Sequence, residues 1–248
     1  MKRYRWLLGC CLFLSIGMLW AADEPDLRML QQKAAQSRDM EGYVGVCKYL
    51  YQTEENPELL LLYADSIHQL ATKSKKPEQL VEYYIWASEG NFIKGDFQQG
   101  YALKRKAIAL AEKAGLKFAI SQSCCDMGYY CNVDARYDSA RYYFRKGLEA
   151  GEDLSEAGEA CRTMLTNYAS SFLFEGKTDS ALVYTIRASE RSAADKDTAM
   201  LIENLNQLGT IYRRKKDLEN CIANFEQALH LCELRGNHNA VAFIYGNI

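Results

Sequence analysis

Four segments of this chain share one spacing of small and large residues, and that recurrence restricts the possible folds more than any other feature. Leu205, Leu208, Gly209 and Tyr212 are followed by Cys221, Phe225 and Ala228. Spacings of three and four residues put each set on one face of a short amphipathic helix, and the gap between the sets suits a hairpin of two such helices. With Gly209 as the reference, the matching small residues upstream are Ala169, Gly128 and Ser88, at steps of 40, 41 and 40. A fixed period of this size means stacked copies of one hairpin, because a single hairpin cannot bury its own apolar face.

The copies differ in quality. Leu165, Tyr168, Ala169, Phe172, Ala181, Thr185 and Ala188 keep the pattern except for Thr185, where an aromatic is expected. Cys124, Met127, Gly128, Cys131, Ala140, Phe144 and Gly147 put cysteines at two large positions. Tyr84, Ala87, Ser88, Asn91, Gly100, Lys104 and Ala107 form the weakest copy, with Asn91 and Lys104 off pattern. Residues 57–73 and 77–94 each open on a proline, the second leading through Gly95-Asp96 into the first clear second helix. Segments 26–37 and 40–54 complete a less regular N-terminal part. In each later hairpin an aspartate (Asp96, Asp138, Asp179, Asp217) stands near the expected start of the second helix, as a helix cap.

This spacing resembles the tetratricopeptide repeat (TPR), in which a large-x2-large-small-x2-aromatic helix A precedes a small-x3-aromatic-x2-small helix B. The resemblance implies an all-α, right-handed α-α superhelix, a TPR-like solenoid, here with a period of about 40 in place of the usual ~34. It covers residues 80–248 well and 26–79 loosely, as degenerate N-terminal helices. The reading divides the chain into a signal segment 1–21, an N-terminal part 22–79 and an array 80–248. Tyr245 and Ile248 already occupy large positions of a further helix A, so the array reads as truncated inside a helix.

The segment before the repeats is a targeting signal by its layout. Lys2, Arg3 and Arg5 precede a charge-free apolar run from Trp6 to Trp20, and Ala21 offers a small residue for cleavage. The run has 15 residues, short of the roughly 20 that span a bilayer. Cleavage after Ala21 leaves 27 basic against 32 acidic side chains, a net charge of −5. An exported, mildly acidic chain has no electrostatic basis for holding nucleic acid. The basic runs Lys104-Arg105-Lys106 and Arg213-Arg214-Lys215-Lys216 read as solvated helix surface. Any membrane association would come through an uncleaved signal or a helix further downstream. The expected location is periplasmic or periplasm-facing.

No catalytic or cofactor-binding constellation stands out. Ser171 to Thr178 approaches a phosphate-binding loop, but serine replaces its first glycine and the segment follows a helix. His68, His230 and His238 lack partners at metal-ligand spacing, so no metal is expected. Seven cysteines follow the signal, with no CxxC pair, and Cys124, Cys131 and Cys221 fall at core positions where cysteine acts as a small apolar residue. No cofactor is implied, and no enzyme activity is expected within this chain.

What remains is a surface. TPR arrays bind extended or helical peptides on the side lined by helix A, and the resemblance transfers that role to four positions per repeat. The second position gives Glu82, Gln122, Thr163 and Glu203, and the fifth gives Ile85, Cys125 and Thr166 with Asn206. The ninth contributes Tyr129 and Ser170, and the twelfth Arg213. The lysines and asparagines with which chaperone-binding TPRs clamp a terminal carboxylate are missing. The resemblance extends to the periplasmic TPR portions of bacterial signalling proteins, which implies a peptide- or protein-binding sensor or scaffold with an output domain beyond residue 248. A stand-alone envelope assembly or secretion adaptor, and an array recruiting substrate to an enzyme such as a histidine kinase, fit the same residues.

Overall fold

A computed structural model describes residues 26–54, 56–236 and 238–247, and the expected signal segment 1–21 lies outside the described residues. Among the described residues there is no strand, and twelve α-helices follow one another along the chain. They are α1 (Leu27–Ser37), α2 (Met40–Thr53), α3 (Pro57–Ser74), α4 (Pro77–Lys94), α5 (Phe97–Ala114) and α6 (Lys117–Val133). After these come α7 (Tyr137–Gly151), α8 (Gly158–Phe174), α9 (Thr178–Ala194), α10 (Thr198–Arg214), α11 (Leu218–Leu234) and α12 (His238–Tyr245). The chain forms two compact units, Ala22–Met127 and Gly128–Ile248, divided inside α6. The pattern-based boundary at 79/80 lies within the first unit. No helix among the described residues is long and apolar enough to cross a membrane.

The 40-residue step has a simple origin. Most of the repeat helices have 17 or 18 residues, joined by connections of two or three, except that the 15-residue α7 is followed by six residues holding the 3-10 turn Ser155–Ala157. The residue that turns the chain from helix A to helix B recurs at the same step. Gly95, Ala135, Gly176 and Lys216 all have positive φ, between 57° and 92°. Glycine adopts this left-handed backbone without the Cβ clash that Ala135 and Lys216 accept.

Caps fix several starts. Asp96 accepts from the Gln99 amide at 3.1 Å and Asp217 from that of Asn220 at 3.2 Å. Asp39 and Asn56 do the same for α2 and α3. Asp138 and Asp179 do not cap. Helices α7 and α9 start one residue before them, after Arg136 and Lys177, which make no side-chain cap bond. Both carboxylates lie in the first turn, where they favour the helix dipole instead.

In the first unit a core of Cys47, Ala64, Ile67, Val81, Ile85 and Trp86 joins α2, α3 and α4, and continues onto Leu103 and Ala107 of α5. A smaller cluster of Ala34, Val46, Leu50 and Leu60 closes its N-terminal end. In the second unit Leu205, Leu208, Cys221, Phe225 and Ala228 form the core seam of α10 and α11, extended by Ala240 and Ile244 of α12. The small position of helix A is a matter of contact. A Cβ on Gly209 would stand 2.7 Å from the Phe225 ring, and one on Gly128 would stand 2.3 Å from the Phe144 ring. Both rings are fully buried, each worth about 1.5–3 kcal/mol of apolar burial. The glycine lets the ring lie against the opposing backbone.

Candidate ligand-facing surface

In the first unit, α4 carries Glu82 and Ile85, and α6 carries Gln122 and Cys125. Glu82 is half-buried and accepts a 2.9 Å hydrogen bond from the Trp86 indole Nε1. Gln122 is half-buried as well. Ile85 and Cys125 are buried in the packing. Glu82 also acts on Cys47: burial pushes that thiol well above its usual range, and the nearby carboxylate adds to the effect.

In the second unit, Tyr129, Thr163, Glu203 and Asn206 are half-buried and Arg213 is exposed. Tyr129 packs edge-on against Tyr130, with ring centroids 5.4 Å apart. The Asn247 amide donates to Asn206 Oδ1 at 2.9 Å, and Arg213 donates to the Asn247 carbonyl. Thr166 and Ser170 are turned inward. The Thr166 hydroxyl donates to Asn204 Oδ1 at 2.9 Å, and Asn204 Nδ2 donates to Ser192 Oγ at 3.1 Å. Ser170 donates to the Thr166 carbonyl and accepts from Gln207 Nε2 at 2.6 Å. Gln207 Oε1 in turn faces the Thr185 hydroxyl at 2.9 Å.

Four of the eleven helix-A residues, Ile85, Cys125, Thr166 and Ser170, thus face the packing rather than solvent. Helix A must meet both its own helix B and the neighbouring hairpin, so the seams take the inner part of its face. Glu82 and Gln122 in the first unit, and Tyr129, Thr163, Glu203, Asn206 and Arg213 in the second, retain access to solvent.

The residues that periodicity overlooked are polar ones in the seams. Lys104 is fully buried, not solvated like its neighbours Arg105 and Lys106. Its ammonium pairs with Glu89 of α4 and with Asp126 of α6, the latter at 2.9 Å. Burial alone would lower its pKa, but the Asp126 and Glu89 carboxylates outweigh it and hold the lysine charged, above its ordinary range. Asp126 is the member of this triad that reaches solvent, its side chain 22% exposed against 0% for Lys104. The signal the sequence did carry is that Lys104 stands where the repeat calls for an aromatic.

Elsewhere the chemistry is quiet. Among the described residues no group of histidine, cysteine and carboxylate side chains could hold a metal ion. The segment 171–178 joins α8 to α9, and the Ser171 hydroxyl donates back to the Tyr168 carbonyl at 2.6 Å. All seven cysteines after residue 26 are buried.

Twelve consecutive helices, with a small residue in helix A set against helix B, define an all-α TPR-like helical repeat protein. Comparison with solved structures gives the same fold. BtubC (BKLC) from P. vanneervenii aligns with a TM-score of 0.69 at 13% identity, covering 95% of this chain and 93% of that one. RapI in its apo form aligns at 0.68 and 9% identity, covering 99% of this chain and 70% of that one. PlcR from Bacillus thuringiensis, solved in complex with the peptide PapR7 and DNA, aligns at 0.54 and 14% identity, covering 98% and 96%. RapI and PlcR are TPR-like helical repeat proteins. No family model and no curated protein sequence matches this chain.

Proposed function

We propose that residues 22–248 form an extracytoplasmic peptide- or protein-binding module, acting as the sensor or scaffold part of a signalling protein. The observation that carries this reading is the set of half-buried polar side chains left on the helix-A surfaces: Glu82 and Gln122 in one unit, Thr163, Glu203 and Asn206 in the other. Donors and acceptors held on rigid helices, with their backbones already satisfied, suit recognition of a peptide rather than catalysis. The solved complex of PlcR with a peptide supports the peptide class of ligand by likeness of fold. The basic and apolar layout of residues 2–20 supports export.

Two measurements test the reading. The purified chain is panned against a random peptide display library. Enriched peptides should lose at least about tenfold in affinity to a double variant, Glu82→Ala with Gln122→Ala or Thr163→Ala with Glu203→Ala. No enrichment, or affinity unmoved by both double variants, overturns the binding surface. Fractionation of cells making the full chain should place it outside the cytoplasm, and recovery in the cytosol overturns the location.

A further inference from the structure

The polar seams recur at one offset. Glu89, Lys104 and Asp126 become Ser170, Thr185 and Gln207 on adding 81 to each number. Both sets link the same three repeat positions, but through a different member of each. In the first, the helix-B residue Lys104 bridges Glu89 of its own helix A and Asp126 of the next. In the second, Gln207 bridges Thr185 of the preceding helix B and Ser170 of the preceding helix A, at 2.9 and 2.6 Å. The hairpins between and after these carry Phe144 and Phe225 at the same helix-B position, against Gly128 and Gly209. The turn residues alternate in step, Gly95 and Gly176 in the polar hairpins, Ala135 and Lys216 in the aromatic ones. Two independent features thus share an 81-residue double period.

We propose that the array is built from double hairpins in which a polar clasp of three residues replaces the aromatic lock in every other hairpin. The clasp fixes the spacing of two successive A helices, and its charged and neutral forms are interchangeable. Lys104 is therefore a positioning residue for α4 and α6, the helices that carry Glu82 and Gln122. It acts from behind that surface and touches no ligand. The neutral set shows that the clasp does not need charge. In the charged set, the ammonium is needed because two carboxylates otherwise face each other in a buried seam. This inference concerns the fold and stands whether or not a peptide binds.

The test compares the full chain with Lys104→Met, which keeps the aliphatic stem, and with the triple variant Glu89→Ser, Lys104→Thr, Asp126→Gln, which copies the neutral clasp. Amide hydrogen exchange is followed in α4 and in α6 up to Met127, with α9 and α10 as internal reference. Lys104→Met should speed exchange in α4 and α6 by at least about tenfold, or fail to fold, with the reference helices unchanged in a folded variant. The triple variant should fold and return exchange to within about threefold of the parent. Unchanged exchange in Lys104→Met overturns the proposal. So does a triple variant as fast as the single one, or one that does not fold.

Discussion

Thr185 stands where the repeat wants a ring, and its single hydroxyl proton has two acceptors within reach, the Ala181 carbonyl at 2.8 Å and Gln207 Oε1 at 2.9 Å. Thr185→Val keeps the shape and removes the hydroxyl, leaving the Gln207 oxygen without its partner. It should cost about 1–3 kcal/mol in urea unfolding, while Thr185→Ser should cost less. A larger cost for Thr185→Ser than for Thr185→Val would mean that the γ-methyl, not the hydrogen bond, matters there. Cys47 is a second residue whose surroundings decide its behaviour. With its thiol pushed up by burial and by Glu82, it should stay unmodified by iodoacetamide at pH 8 for as long as the first unit stays folded. Rapid labelling at Cys47 under native conditions would contradict that. Periodicity could mark Thr185 and Lys104 as off pattern but could not say what replaced the ring. The answer lay 15 and 22 residues away, on other helices.

Among elements, the size of the helix-A small residue follows the helix-B residue opposite. Gly128 and Gly209 face phenylalanine, whereas Ala169 and Ser88 occupy the position in hairpins that carry Thr185 and Lys104. Gly209→Ala should therefore lower stability by about 1–3 kcal/mol through overpacking against Phe225. In a Phe225→Leu background the same change should be close to neutral, since alanine favours helix by about 1 kcal/mol over glycine. An additive double variant would show that the two positions do not press on each other. Helix limits were the most readable part of the sequence. Prolines at 57 and 77, and Asp96 and Asp217 as caps, coincide with the starts of α3, α4, α5 and α11. Asp138 and Asp179 misled because an acidic residue is favourable both as a cap and one turn in, so its presence dates a helix start only to within a residue or two.

For the whole molecule, acid is the expected weak point. The Gly42 amide and the Ser37 hydroxyl hold Asp39 below its usual range, and Lys177 with Arg141 does so for Glu175. Arg191 and Arg162 act likewise on Asp195, and Asn220 on Asp217. A carboxylate whose folded pKa is depressed adds stability above its unfolded value, 3.8 for aspartate, and loses it as pH falls through the folded value. Lys104 has the opposite sense: its contribution is complete below 10.5 and fades only in strong alkali. The thermal midpoint should thus change little from pH 6 to 9 and fall steeply below about pH 4. A midpoint that holds level down to pH 3 would refute this. The candidate surface was only partly legible at this scale. Periodicity assigns residues to a helix face, but the share of that face consumed by neighbouring hairpins emerges only when they are stacked. That is why Thr166 and Ser170 turned inward while Thr163 and Glu203 did not.

Sealing every described cysteine inside the helices has a consequence for how the chain matures. Among the described residues the folded protein offers oxidants no exposed thiol, so for these cysteines the redox surroundings matter mainly before folding is complete. A chain that folds slowly in an oxidising compartment can be trapped by disulfides between cysteines that are free and buried in the finished molecule. Refolding yield should then depend on the reductant present in the first moments, and adding reductant later should make no difference to molecules already folded.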